Sequence, residues 1–374
     1  MNKVILFVIG TRPEGIKMLP IYIELKKRGL YKVFLCTTGQ HRKMLDQVLI
    51  HFDVTADYDL NVMTESQTLL DLTSKILYSI TNLLSNLNPD MVLVHGDTTT
   101  TFATSLACFY SNVKIGHVEA GLRTNDLKSP WPEEFNRQCT SIIADLHFSP
   151  TELSAKNLIK ENIPQSKIFI TGNTVIDALF FTINKIDNDH LLNRNLFERF
   201  KYINFKKKLI LVTAHRRENH EFGIENICCA LKSIALNHNV QIVFPVHLNP
   251  AVREPVGKIL SNTANIHLIE PLDYLEFTFL MMHSFLILTD SGGVQEEAPS
   301  LNVPVLVTRN NTERPEVLLN GSVKLVGTDV QSIIDNVDNL LLNSNLYNEM
   351  RHKTNPFGNG NSSIQIVDII SSSI

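Results

Sequence analysis

Long apolar runs are missing from this chain of 374 residues. No stretch approaches the ~20 residues needed to span a bilayer. The apolar start, Met1 to Ile9, is short, lacks a small-residue cleavage site and runs into Gly10-Thr11-Arg12-Pro13-Glu14. It reads as a first strand, not a secretion signal. A strong charge of one sign is missing too. The net charge of -4 gives no reason to expect nucleic acid or a membrane surface as a partner. Cysteine is sparse. The five residues Cys36, Cys108, Cys139, Cys228 and Cys229 form no C-x-x-C pair, so neither a disulfide framework nor a zinc site is indicated, and a reducing cytoplasm fits. Tryptophan occurs once, at Trp131.

Several chemical signatures are absent as well. There is no G-x-G-x-x-G fingerprint for a dinucleotide, no Gly-Lys-Ser/Thr of a Walker A loop and no G-x-S-x-G elbow. No H-E-x-x-H or H-x-H offers metal-ligand spacing. No cofactor and no metal are expected.

What is present is an ordinary globular composition, 44% hydrophobic and 19% charged. The length predicts two or three domains. Strand-like runs lie at 3–9, 32–38, 90–95, 113–118, 146–149, 167–170, 208–213, 240–246, 284–289 and 303–307. Several are continuously apolar, as in strands covered on both faces. Segments with helical spacing alternate with them: Ser66 to Asn86, one opening at Pro150-Thr151-Glu152, and Asp329 to Leu342. The alternation predicts an α/β protein with doubly wound parallel sheets. A polar stretch at about 184–206 separates two series of strands. We therefore expect two Rossmann-like domains, 1–171 and 172–357, with a cleft between them and a terminal helix, 358–374, packing back on the first.

Polar clusters follow the strands, at the end where open α/β sheets bind ligands. His215-Arg216-Arg217-Glu218-Asn219 follows the run 208–213. Two guanidiniums suit a diphosphate, and an imidazole binds phosphate or moves a proton near neutral pH; a solvated charge run is the bland alternative. Gly10 to Lys17 resembles a phosphate loop. Pro13 suits a helix start, and Arg12 and Lys17 add charge. Asp97, in His95-Gly96-Asp97-Thr98, either caps the next helix or serves as a base. Glu119 falls just past a strand among small neighbours. Pro130-Trp131-Pro132-Glu133-Glu134 fixes a helix entry whose first-turn acids favour the macrodipole, with Arg137 one turn on. Asp290-Ser291-Gly292-Gly293 exposes N–H groups to a phosphate, and Glu297 lies where ribose hydroxyls could donate to it. Thr312-Glu313-Arg314-Pro315-Glu316 follows the next strand.

Together these residues resemble the non-hydrolysing UDP-N-acetylglucosamine 2-epimerases. The likeness runs from Gly10 to about Gly360 through GTRPEGIK (10–17), TGQHRKMLDQVL (38–49), VHGDTTTT (94–101), GHVEAGLRT (116–124), PWPEEFNR (130–137), TGNTVIDAL (171–179), TAHRREN (213–219), PVHLNP (245–250), TDSGGVQEEAPSL (289–301), TERPE (312–316) and LVGTD (325–329). It implies a glycosyltransferase-B type fold and a cytoplasmic homodimer that interconverts UDP-GlcNAc and UDP-ManNAc for surface polysaccharide. The implied route is anti elimination of UDP to 2-acetamidoglucal and re-addition. Catalytic roles fall on Asp97, Glu119, Glu133 and His215, with base and acid undivided among the carboxylates. Substrate binding falls on Arg12, Lys17, Arg137, Arg216 and Arg314, with Ser291, Gly292 and Gly293 at phosphate, Glu297 at ribose and Phe277 on uracil. Gln40 and His41 match a loop that binds an activating second UDP-GlcNAc, and Lys43 belongs to the same loop. There Lys43 replaces a frequent Gln and Ser66 a frequent Arg. Asn302 stands where glycine is usual, in a turn that needs positive φ, which Asn tolerates. A related UDP-2-acetamido sugar, 2,3-diacetamido or 6-deoxy, is the alternative substrate.

Overall fold

A computed structural model describes residues 3–40, 42–64, 67–220 and 222–373. The chain divides into two compact units, one running to Phe180 and resuming at Phe357, the other Phe181–Pro356. The division falls inside the helix Val175–Asn188, because the apolar stretch Val175 to Phe181 continues the polar 184–188 stretch in one helical run.

In the first unit seven strands are β1 (Val4–Ile9), β2 (Lys32–Thr37), β3 (Tyr58–Asp59), β4 (Met91–His95), β5 (Lys114–Val118), β6 (Leu146–Ser149) and β7 (Ile168–Ile170). They pair in the order β3-β2-β1-β4-β5-β6-β7, every pair parallel. In the second unit β8 (Lys208–Thr213), β9 (Val240–Pro245), β10 (Ile266–Ile269), β11 (Leu286–Thr289), β12 (Val305–Val307) and β13 (Val323–Leu325) pair as β10-β9-β8-β11-β12-β13, again all parallel. Each is a Rossmann-like doubly wound sheet, as expected. All ten strand-like runs are strands. β3, β10 and β13 lie outside the expected runs, and each is a sheet edge.

The elements form for readable reasons. Ile5 to Ile9 of β1 are fully buried, matching a strand with helices over both faces. The helix Leu69–Leu87 starts at the capping box of Thr68 and Asp71 and buries Leu72, Ile76, Ile80, Leu83 and Leu84. Each such burial is worth ~1.5–3 kcal/mol. Ser66, where the pattern predicts the start, lies outside the described residues. Thr151 and Asp329 cap the helices Glu152–Lys160 and Val330–Leu342. Asn302 does adopt positive φ, 56°. The terminal helix Ser362–Ser373 packs on Arg12–Arg28. Among the described residues no helix is long and apolar enough to cross a membrane.

In each sheet the strand order reverses between the first and fourth strands of the unit, β1/β4 and β8/β11. Crossovers leave in opposite directions there and open a crevice at the strands' carboxyl ends. Gly10 to Lys17 and His95 to Thr98 flank one reversal. His215 to Asn219 and Asp290 to Gly293 flank the other.

Gly121, two residues beyond Glu119, has φ 93°, and a Cβ there would run into the Ser154 backbone carbonyl. Gly121→Ala is expected to lower the urea midpoint followed by far-UV circular dichroism, at a cost above ~1 kcal/mol. An unchanged midpoint would mean that the backbone absorbs the methyl.

Candidate active site

In the first unit, Thr11 caps the helix Arg12–Arg28, and Glu14 completes the capping box, with Pro13 in the first turn. Glu14 is buried and accepts from Gly10 N at 2.9 Å, Thr11 N at 2.7 Å and Thr98 Oγ1 at 2.6 Å. One carboxylate thus knits the turn after β1 to the turn after β4. Burial pushes its pKa up, against those hydrogen bonds. Sequence reasoning gave Glu14 no role, since a capping box reads as local. The partner Thr98 is visible only once β1 and β4 are neighbours.

Thr98, not Asp97, caps the helix Thr99–Tyr110. That removes the capping reading of Asp97. Its carboxylate pairs instead with Arg137, and its backbone carbonyl accepts from Asn136 Nδ2 at 2.9 Å. Burial raises the Asp97 pKa most, Arg137 opposes this, and the like charges of Glu119 and Glu133 push it further up. Asp97, Glu119 and Glu133 therefore share one electrostatic neighbourhood.

Glu119 sits just past β5 at φ 62°, an αL conformation that strains a non-glycine residue by ~1–2 kcal/mol. Its Oε2 pairs with the buried Lys17, accepts from Asn173 Nδ2 at 2.9 Å and lies 3.8 Å from His95 Nε2. His117 Nε2 lies 2.8 Å from the Gly96 carbonyl, which anchors the loop before Asp97. Burial depresses His95 to about 4 and His117 to about 3, so both rings are neutral at physiological pH, as expected of core histidines.

The helix Glu133–Ile143 carries both acids in its first turn, after cis bonds at Ser129–Pro130 and Trp131–Pro132. The two acids divide. Glu134 is fully buried and ties down the preceding loop through Thr124 N and Asn125 N, at 3.0 and 3.1 Å. Glu133 stays partly exposed. Trp131 is two-thirds exposed, at 66%, and Arg12 is half-buried. Gln40 accepts from Thr100 Oγ1 at 3.0 Å, beside the β1 turn, whereas Lys43 is exposed in the first turn of the helix Arg42–His51. His41 lies outside the described residues.

In the second unit, Asp290 ends β11 fully buried. Its Oδ2 accepts from His215 N and Arg216 N at 2.8 Å each and from Asn219 Nδ2 at 3.1 Å. Its Oδ1 is 3.1 Å from His215 Nδ1. Burial opposes ionisation, but the His215 contact and the backbone donors outweigh it, so the Asp290 pKa is lowered. The carboxylate thus lies beside Nδ1 of the ring while its other oxygen holds the backbone of the His215–Arg216 turn. Its signal was a carboxylate at a strand end, but the neighbour of β11 was not readable.

Buried Arg309 braces this unit. It donates to Glu218 at 2.5 Å and to Glu313 at 2.8 Å, joining the turn after β8 to the loop after β12. Burial opposes its charge, yet the two acids raise its pKa on balance. Arg314 donates to Glu296 at 2.8 Å, and its guanidinium carbon lies 3.2 Å from where a Gly292 Cβ would stand. Ser291 precedes the helix Gly292–Glu297, whose first-turn N–H groups have no intrahelical acceptor. Glu297 accepts from Tyr274 Oη at 2.7 Å. Phe277, one turn along the helix Tyr274–Met282, shares the face of Tyr274. Among the described residues the Nε atoms of Arg137 and Arg216 are buried without an acceptor, and no acid–histidine–cysteine group could hold a metal ion.

Comparison with known proteins agrees with this geometry. The profile of the family described as UDP-N-acetylglucosamine 2-epimerase matches residues 23–371. A UDP-N-acetylglucosamine 2-epimerase of Salmonella typhimurium is 53% identical over 369 residues, 98% of each chain. The crystal structure of UDP-GlcNAc 2-epimerase from Neisseria meningitidis bound to UDP-GlcNAc aligns with TM-score 0.93 and 50% identity, over 99% of this chain and 100% of that one. MurG from Acinetobacter baumannii, at TM-score 0.63, 13% identity and 99% coverage of both chains, shares the fold alone. This chain belongs to the UDP-N-acetylglucosamine 2-epimerase family.

Proposed function

We propose that this protein interconverts UDP-GlcNAc and UDP-ManNAc by inverting C2, with the crowding of Asp97, Glu119 and Glu133 beside Arg137 and Lys17 carrying the reading. A neutral C2–H is a very weak acid. Breaking the C1–O bond first gives C1 oxocarbenium character, which acidifies that proton. A carboxylate then takes it, the C2–H electrons form the C1=C2 bond of 2-acetamidoglucal, and UDP departs with the C1–O electron pair. Return of a proton to the opposite face of C2, with UDP re-adding at C1, completes the inversion. Two faces need two groups. Asp97, whose pKa is raised, suits the donor; Glu119, paired with Lys17, suits the acceptor.

The other roles follow from charge. Arg216 and the Ser291-Gly292-Gly293 turn hold the diphosphate, beside Arg314, and His215, held by Asp290, serves the departing UDP. Glu297 takes the ribose and Phe277 the uracil face; Arg12 adds charge near the reacting sugar. No cofactor takes part. The protein acts in the cytoplasm as a homodimer supplying ManNAc units for surface polysaccharide. Tyr78, Phe109, Tyr110 and Ile142, more than half exposed on helices of the first unit, favour self-association. Gln40 and Lys43 are the candidates for sensing a second UDP-GlcNAc.

The purified protein is expected to exchange solvent deuterium into C2 of UDP-GlcNAc. No exchange with UDP-GlcNAc in excess would overturn the reading, and faster turnover of a 2,3-diacetamido or 6-deoxy analogue would favour the alternative substrate. Asp97→Asn should cost ~10²–10⁴ in turnover and yet raise the melting temperature at pH 7. Native Asp97 binds its proton more tightly than the unfolded chain, whose value is near 3.8, so ionisation above that value disfavours the native state. The gap between the two melting temperatures should close as the pH falls to ~3, below both the native and the unfolded value. A variant that melts lower than its parent at pH 7 would contradict this.

A further inference from the structure

The motif Thr171 to Leu179 is absorbed by none of the roles above, yet it touches the candidate acid–base group. Asn173 is buried, at 3% exposure, and its whole amide is engaged. Nδ2 donates to Glu119 Oε2 at 2.9 Å, Oδ1 accepts from Val175 N at 3.0 Å, and the backbone N–H donates to the Phe357 carbonyl at 2.7 Å. The amide has one workable orientation. Turned over, it would set NH₂ against an N–H and oxygen against a carboxylate.

The rest of the motif grips the same returning segment. A Cβ at Gly172 would collide with the Ser362 hydroxyl and the Phe357 carbonyl. Asp177 accepts from Ser362 N at 3.3 Å and Ser363 N at 2.7 Å. Residues 172–177 thus clasp 357–363, the segment on which the chain re-enters the first unit.

We propose that Asn173 is a positioning residue for the epimerisation: it aims Glu119 by holding Oε2 alongside Lys17, and it is itself held by the re-entering segment at Phe357. This rests on the role given to Glu119 above. Two donors on Oε2, from Lys17 and Asn173, hold the carboxylate in its strained backbone setting. Without Asn173 the group keeps its charge less firmly and rotates about its last bond.

The rival is a plain structural residue that caps the helix Val175–Asn188. Asn173→Ser separates the two, since serine caps as well as asparagine, keeps the backbone N–H to Phe357 and cannot reach Glu119. Asn173→Asp keeps the acceptor for Val175 N and turns the donor into a like charge. The serine variant should melt within a few degrees of the parent, and the aspartate variant lower. Both should lose at least ~10-fold in kcat, part of the ~10²–10⁴ that a placed acid–base group supplies, with KM within about threefold. The acidic limb of the kcat profile should move to higher pH, furthest for Asn173→Asp. Unchanged kcat and an unmoved limb in both would overturn the proposal.

A second measurement needs neither turnover nor a variant that folds. In the unaltered protein, with ¹³C-labelled glutamate and ¹⁵N-labelled asparagine, the Asn173 side-chain NH₂ resonance should move with the titration of the Glu119 carboxyl. An NH₂ signal indifferent to that titration would overturn the proposal even if deuterium exchange at C2 is observed. A coupled signal in a protein that exchanges no deuterium would leave the tie standing and remove only the substrate reading.

Discussion

Parallel pairing is the constraint from which the rest of this structure follows. A parallel strand cannot be reached by a tight turn, so each is joined to the next through a crossover. All strands of a sheet then finish along one edge, and their following loops gather there. In the first unit β1 and β4 are neighbours although a long stretch of sequence separates them. Glu14, in the first turn of the helix after β1, thereby meets Thr98 after β4. In the second unit β8 beside β11 brings His215 to Asp290. No short-range preference in the chain would have created either meeting.

Burial then decides what each charge can do. Lys17 with Glu119, Arg137 with Asp97 and His215 with Asp290 are pairs whose partners come from different loops. Their balance differs. Three donors on Asp290 Oδ2 and the ring of His215 on Oδ1 outweigh desolvation and commit it to the ionised state. Asp97 has one guanidinium against burial and two neighbouring acids, and its pKa is raised. The same type of side chain is thus pushed in opposite directions by its surroundings in the two units.

Much of this was legible in the sequence, and the limits of legibility are physical. Central strands such as β1 and β8 are buried on both faces and must be apolar throughout, so they stand out. The edge strands β10 and β13 are short and interrupted by His267 and Lys324, and β3 is only Tyr58 and Asp59. No continuous apolar run marks them. Likewise Asp97, Glu119, Glu133 and His215 stood out because polar residues directly after strands are conspicuous. Glu14, Asn173, Asp290 and Arg309 work through partners distant in sequence, and which partner they meet depends on strand order. Asp97 was ambiguous between cap and base until Thr98 was seen to hold the cap. A boundary at about 171 follows the last strand-like run of the first series, and the compact first unit continues to Phe180, inside the helix Val175–Asn188.

The scarcity of tryptophan has a practical side. Trp131 is the chain's one indole, and it stands largely in solvent two residues before Glu133. Excited near 295 nm, where tyrosine and phenylalanine scarcely absorb, the protein emits from that loop alone. Its fluorescence is therefore a native reporter with a single address, whose wavelength and quenching record what happens at the helix entry carrying Glu133 without any label being attached.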